Sequence, residues 1–167
     1  CTNELFTAVS GEDNNIRKLA IGFPNYLAGT DILEGVEGTL LAKAIIQLDE
    51  FSMTQTTKMD KFDNMLKAIV KSESKLKKLT VTNINITHAF SSPPTHQDPV
   101  LLAKAINKLE EATLETLNEE QANSILNQCL QETCLKKLDI HVRGLTDKNL
   151  IQQISKNTGC IVCYTEE

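Results

Sequence analysis

The sequence predicts an α/β solenoid in which short parallel strands alternate with helices. Two observations carry this prediction. The chain repeats itself: the hexapeptide LLAKAI at residues 40–45 recurs at 101–106, and LKKL at 76–79 recurs at 135–138. Within each repeat, the apolar residues also switch between strand spacing and helix spacing. Two separate blocks that return after about 60 residues indicate an array of stacked units.

A shorter pattern divides each period into two units. It consists of an apolar residue, two polar residues, a second apolar residue, one intervening residue and a third apolar residue. The five apolar triplets are Ile16, Leu19, Ile21; Leu48, Phe51, Met53; Leu76, Leu79, Val81; Leu109, Ala112, Leu114; and Leu135, Leu138, Ile140. The alternation at the end of each triplet predicts a strand with one buried face.

Between the triplets, the apolar spacing becomes that of a helix, with positions i, i+3, i+4, i+7 and i+8 on one side. The three segments are Phe62, Met65, Leu66, Ile69, Val70; Ala122, Ile125, Leu126, Cys129, Leu130; and the shorter Leu150, Ile151, Ile154. Capping residues mark three predicted helix starts. These are Asp98 before Pro99, Asn118 before two glutamates and Gln121 as in a capping box, and Thr146-Asp147.

Residues 1–167 are predicted to form one domain of five to six units. The expected units are 16–47, 48–75, 76–108, 109–134 and 135–159, followed by a terminal strand at 160–167. Residues 1–15, with Leu5, Phe6 and Val9, are expected to end the helix of a preceding unit, so we expect the array to belong to a longer protein. Because helices are wider than the strand spacing, stacking is expected to curve the array with its strands on the concave side.

Composition narrows the classes of partner. The net charge is −5, and an acidic chain is a poor ligand for nucleic acid. The one lysine-rich stretch, 67–78, is interrupted by Glu73 and indicates a solvated helix end. No apolar run reaches the roughly 20 residues of a membrane-spanning helix, so no membrane partner is expected. The odd count of five cysteines favours a reducing compartment, and we expect a cytoplasmic location.

From about Ile16 to Cys163, these features resemble the leucine-rich-repeat family, and within it the ribonuclease-inhibitor-like class, in which strands alternate with full helices. That class includes ribonuclease inhibitors, GTPase activators of the nuclear-transport cycle and the sensor arrays of NOD-like innate-immune receptors. The paired hexapeptides look most like the last of these. The resemblance implies a leucine-rich-repeat solenoid, or horseshoe, that binds a protein or ligand, catalyses nothing and needs no cofactor.

Two other functions stay open at this point. The array is alternatively a structural or autoinhibitory segment that packs on other domains of its parent chain. It is alternatively the regulator of a GTPase or nuclease, for which Arg143 is the one candidate residue.

One departure from the family concerns the loops. The family places Asn or Cys three positions after the third triplet residue, where its side chain links neighbouring turns into a ladder. The corresponding residues here are Pro24, Thr56, Ile84, Leu117 and Arg143. We therefore expect that the ladder is absent or replaced, and that the array is irregular.

Residues capable of catalysis or metal binding are better explained as structural. Cys160 and Cys163 form a CxxC, but their positions match those of Leu135 and Leu138, which predicts two core cysteines. Of the three histidines, His88, His96 and His141, only the last falls on a predicted strand, and no positioned nucleophile accompanies it. Gly35 and Gly38 are not followed by a Gly-Lys-Ser/Thr sequence, so they form no phosphate loop. No catalytic, cofactor-binding or metal-binding residue is predicted.

The predicted partner-binding surface is the concave strand face. The candidate residues are Lys18, Glu50, Ser52, Lys78, Thr80, Glu111, Thr113, Lys137, Asp139 and His141, and the same strand rows include Ala20, Gly22, Thr54, Thr82 and Glu115. The charges of the first row alternate in sign. They either form a polar groove for a partner or pair with one another as a solvated face. Rival anchors in the loops are Phe23, Tyr26 and Phe90.

Overall fold

The computed structural model describes residues 2–21, 35–53, 59–71, 73–82 and 98–167. Strands and helices alternate along the chain, as the sequence predicts. The elements are α1 (Thr2–Val9), β1 (Lys18–Ile21), α2 (Gly38–Ile45), β2 (Glu50–Met53), α3 (Met59–Lys71), β3 (Lys78–Val81), α4 (Pro99–Ile106), β4 (Glu111–Asn118), α5 (Glu119–Gln131), β5 (Lys137–Arg143), α6 (Lys148–Thr158) and β6 (Ile161–Glu166).

The six strands form one parallel sheet whose spatial order follows the chain order. The pairing aligns the five triplets with one another, so their predicted equivalence is confirmed. One row of aligned residues contains Leu19, Phe51, Leu79, Ala112, Leu138 and Val162. The next row, which is buried from β2 to β5, contains Ile21, Met53, Val81, Leu114, Ile140 and Tyr164.

The helices cover one face of this sheet and enclose the core. Each helix packs against the next in chain order, from α1 on α2 to α5 on α6. The triplet residues of β2 to β5 are buried against them, together with the apolar side of α3 and α5. Phe6 and Val9 of α1 are also fully buried, so this helix packs into the same core. Among the described residues, no helix lies on the other face of the sheet.

Short side-chain turns set the start of four strands. In each, the first triplet residue, or Cys160 in the last unit, donates its backbone N–H to a side-chain oxygen two residues earlier, at 2.9–3.2 Å. The acceptors are Asn14, Ser74, Thr133 and Thr158. After α2 and α4, which contain the LLAKAI repeats, a backbone turn takes this place, since Leu48 donates to Ile45 and Leu109 to Ile106. Two kinds of turn therefore alternate from α1 to α5, which accounts for a repeat of about 60 residues.

The three predicted helix starts are confirmed. The Asp98 carboxylate accepts from Val100 N at the start of α4, and the Asp147 carboxylate accepts from Leu150 N at the start of α6. Asn118 and Gln121 form a full capping box at α5, with bonds of 2.8 and 3.1 Å. This cap lets β4 lead into α5 without an intervening loop.

A β-bulge at the end of β4 explains why Leu117 takes no part in a side-chain ladder. Leu114 pairs with Ile140 and Leu117 with Val142, so Glu115 and Thr116 share the space beside one residue of β5. Thr116 has a φ of 67°, which is unusual for a β-branched residue. In a regular strand, residues three apart face opposite sides. The bulge turns Leu117 back into the core, where it is fully buried.

Carboxylates from neighbouring units hold the loop between β5 and α6. The Glu119 carboxylate accepts from Leu145 N at 2.9 Å, and the Glu166 carboxylate accepts from Thr146 N at 3.1 Å. Arg143, at the expected ladder position, is exposed. In this loop, charge-assisted bonds from α5 and β6 hold the backbone where the resemblance placed a ladder residue. The ladder positions Pro24, Thr56 and Ile84 lie outside the described residues.

The assignment of the CxxC to two core positions is wrong for one of its cysteines. Cys160 is buried, but Cys163 pairs with Asp139 and is exposed. The aligned partner of Leu138 is Val162. The physical reason is that residues three apart in a strand point to opposite faces, so the two thiols share neither a face nor a site.

Candidate interaction surface

The face of the sheet that the helices leave uncovered is termed the open face. It is lined by two complete rows of aligned side chains. The first row is Lys18, Glu50, Lys78, Glu111, Lys137 and Ile161, and the second is Ala20, Ser52, Thr80, Thr113, Asp139 and Cys163. Between β1 and β4, these rows border a groove of about 350 Å³. Nine of the ten predicted surface residues lie in these two rows, and the tenth, His141, follows Asp139 by two positions on β5, so strand alternation places it on the same face.

Most charged side chains of the first row form ion pairs with one another. Lys18 lies 3.2 Å from Glu50, and Lys78 lies 3.7 Å from Glu50 and 3.5 Å from Glu111, measured between side-chain nitrogen and oxygen. Of the two alternatives for this row, mutual pairing of neighbouring Lys and Glu is observed for these four residues. Exposed pairs of this kind contribute about 0.2–1 kcal/mol each, and they favour the observed register because a slip would break them.

Lys137 departs from this pattern. Within the described part of the chain it has no carboxylate within 4.0 Å, because the Glu111 carboxylate is bonded to Lys78. On its other side, β6 presents Ile161 where continued alternation would place an acid. Ile161 is 61% exposed. At one end of the open face, Lys137, which has no ion pair among the described residues, thus lies beside the exposed apolar side chain of Ile161.

The second row is small and polar. Ser52, Thr80 and Thr113 are half-buried in the centre of the groove, so they form a low floor between the charged side chains. Towards β5, this floor ends at Asp139, whose carboxylate lies 3.7 Å from His141 Nε2. Hydroxyls and one carboxylate offer hydrogen bonds to a ligand. They do not form a nucleophile and base within bonding reach of each other.

The remaining candidates from the sequence lie at the end of a strand or outside the described residues. Arg143 lies at the end of β5, where its Nε is 3.7 Å from the Glu167 carboxylate. Gly22 and Thr54, the loop residues Phe23, Tyr26 and Phe90, and the two remaining histidines lie outside the described residues. Among the residues that the structure describes, no three His, Cys, Asp or Glu side chains form a group that would hold a metal ion.

Two buried thiols meet behind the sheet. Cys129 of α5 and Cys160 are both inaccessible to solvent. The pKa of Cys129 is lowered to about 7, mainly because the Cys160 thiol donates a hydrogen bond to it, against the opposing effect of burial. The same contact and burial raise the pKa of Cys160. Cys134 and Cys163 are exposed instead.

We expect thiol labelling of the folded protein to separate these two classes. A maleimide reagent should modify Cys134 and Cys163 rapidly, and Cys129 and Cys160 only through local opening. Peptide mapping by mass spectrometry measures each site, and labelling in denaturant provides the control in which all of them react. Rapid joint modification of Cys160 and Cys163 in the native state would contradict their placement on opposite faces.

Sequence comparison does not match the chain to a known protein: no protein-family model matches it, and neither does any curated protein or solved structure. Of the helices that the structure describes, none is both long enough and apolar enough to cross a membrane. The function has to be argued from the residues of this chain.

Sequence reasoning missed Ile161 as a surface residue. The CxxC was aligned with Leu135 and Leu138, which moved the last strand out of register by one position. The charges themselves contained the signal. Two like charges mark the start of each of the first five strands, and their sign alternates from one strand to the next. The pairs are Arg17-Lys18, Asp49-Glu50, Lys77-Lys78, Glu110-Glu111 and Lys136-Lys137. The sixth unit breaks this alternation with Cys160-Ile161.

Proposed function

We propose that this chain is a non-catalytic leucine-rich-repeat module of the ribonuclease-inhibitor-like class that binds a protein partner on its open face, as part of a larger cytoplasmic protein such as a NOD-like receptor. The observation that supports this proposal best is the six-stranded parallel sheet with one uncovered polar face. Stacked strand-helix units bury their helices on one side and leave the strand side free for a ligand.

The construction of the open face suits recognition. Its side chains project from paired strands, so their backbone positions are fixed before a ligand arrives, and less conformational entropy is lost on binding. The groove presents hydroxyls from Ser52, Thr80 and Thr113 between charged side chains of both signs. Such a surface is complementary to polar and hydrogen-bonding groups, and its specificity would come from their arrangement.

A structural role is the second candidate, and the ion pairs of the first row favour it. Lys18, Glu50, Lys78 and Glu111 already satisfy one another. A face that neutralises its own charges can pack against another domain of a longer chain without leaving unpaired ions. In that case the open face would be covered in the parent protein, and the isolated array would capture no separate partner.

The test is a block of the groove. Thr80→Arg together with Thr113→Arg places two long side chains across its floor. Asn127→Arg with Gln152→Arg adds the same charge at exposed positions of α5 and α6, and serves as the matched control. We expect affinity capture from cell lysate to recover a specific protein with the natural chain and the control, and to lose it with the groove variant. Capture that is unaffected by the groove variant would refute binding on the open face.

A further inference from the structure

We propose that the β5–β6 end of the open face binds an acidic peptide segment, with a peptide carboxylate on Lys137 and an adjacent apolar side chain on Ile161. This rests on the proposed function and names the chemistry of the partner. The juxtaposition that carries it is an unpaired cation aligned with an exposed aliphatic side chain on the neighbouring strand.

Lys137 differs from the rest of its row in its charge environment. The other four charged members of the row are each within 3.2–3.7 Å of an opposite charge. Lys137 is the exception among the described residues, since Glu111 is held by Lys78. Lys136 adds a second positive charge beside it, with a side chain that is 75% exposed and 3.9 Å from Glu110. A carboxylate arriving here therefore meets an ammonium group that need not first give up an ion pair.

Ile161 provides the apolar contact. Ile161 pairs with Lys137 and precedes the half-buried Val162, so by strand alternation its side chain projects from the open face. A further strand added beside β6 would take its backbone edge and leave this side chain on the open face. Aligned side chains on neighbouring strands are about 4.8 Å apart. A carboxylate and an aliphatic group that are adjacent in one peptide can thus reach both residues.

Asp139 favours a peptide over a polyanion as the ligand. Asp139 follows Lys137 on the same face, and its aligned neighbours are Thr113 and Cys163, which carry no positive charge. A nucleic acid or polyphosphate lying along the strands would bring its next negative charge against Asp139. A peptide with a single carboxylate avoids this repulsion and can use the hydroxyl of Thr113 for a backbone hydrogen bond.

The experiment is a selection of random linear peptides, displayed on phage, against the folded full chain. We expect enrichment of peptides with Asp or Glu next to Leu, Ile, Val or Met. Synthetic peptides from this set should bind about tenfold more weakly to Lys137→Gln, because a charge-assisted hydrogen bond is lost. They should bind Lys18→Gln as tightly as the natural chain, since Lys18 is the matched lysine at the opposite end of the row. Ile161→Ser should weaken them as well.

Several outcomes overturn the inference: no enrichment, enriched peptides without a carboxylate, or equal losses in the two lysine variants. The fate of the proposed function is read separately. If peptides without a carboxylate bind, and Thr80→Arg with Thr113→Arg abolishes their binding, the open face is an interaction surface and only the acidic preference is wrong. If neither peptides nor a lysate protein depend on this face, both proposals fail.

Discussion

Replacing Leu138 with aspartate is expected to abolish cooperative folding of the whole array. Leu138 is fully buried in the central row of the sheet, between Ala112 and Val162. Removing a buried leucine side chain costs about 2–5 kcal/mol, and an unpaired buried carboxylate adds several kcal/mol. Together these approach or exceed the roughly 5–15 kcal/mol that stabilises an ordinary domain. Leu79→Asp, at the same position of β3, is expected to have the same effect.

Thermal unfolding followed by circular dichroism measures this prediction. The matched control is Thr80→Asp, which places the same carboxylate one residue away from Leu79 but on the open face. It should keep a cooperative transition and lose no more than about 1 kcal/mol. A soluble Leu138→Asp variant that unfolds cooperatively near the natural midpoint would show that the buried and open faces of the strands have been exchanged.

The positions of the strands were predictable because each one repeats the same constraint. A parallel strand in a stacked array has to bury alternate residues against helices, so the triplets from Ile16 to Ile140 had to line up. Two different turns alternate between the units, and they appear in the sequence only as the repeated LLAKAI block and as polar residues such as Ser74 and Thr133. The helix starts were also local, because Asp98, Asn118 and Asp147 cap helices through neighbouring backbone groups.

Sequence patterns did not reveal where the structure departs from the repeat. The bulge at Thr116 adds a residue to β4 and turns Leu117 inward. No local sequence pattern predicts a positive φ at a threonine. Cys163 was placed in the core because its spacing from Cys160 copies that of an earlier unit. In the last strand only Val162 is partly buried and the other residues are exposed, so the alternation of buried and exposed residues that fixes the other strands is weak there.

The candidate surface was predictable in outline for the same reason. Alternation alone assigns Lys18, Glu50 and Lys78 to the uncovered face. It does not say which charges pair, because this depends on side-chain distances between strands. The sequence therefore left open whether the first row is a groove for a partner or a self-paired face. In the structure, the charged side chains of this row form ion pairs from β1 to β4. Lys137 on β5 has no such pair among the described residues.

The loop after β5 provides the second large expected effect, since Gly144→Ala should destabilise the protein by about 2–4 kcal/mol. Gly144 has a φ of 127°, and a Cβ there would lie 2.2 Å from a carboxylate oxygen of Glu119. An alanine would be strained in this backbone conformation. It would also displace the Glu119 side chain, which accepts from Leu145 N at 2.9 Å.

A double-mutant cycle with Glu119→Ala separates these two contributions. The single change Glu119→Ala removes the bond to the loop and should cost about 1 kcal/mol. In its background, Gly144→Ala no longer meets a carboxylate, so only the backbone strain is left. The loss of stability in the double variant should therefore be smaller than the sum of the losses in the two single variants. Glu120→Ala controls for the loss of an acid from the first turn of α5. Additive losses in urea unfolding would mean that Glu119 does not hold this loop. A coupling between the two sites would instead show that α5 fixes the end of β5, and with it the strand that carries Lys137 and Asp139.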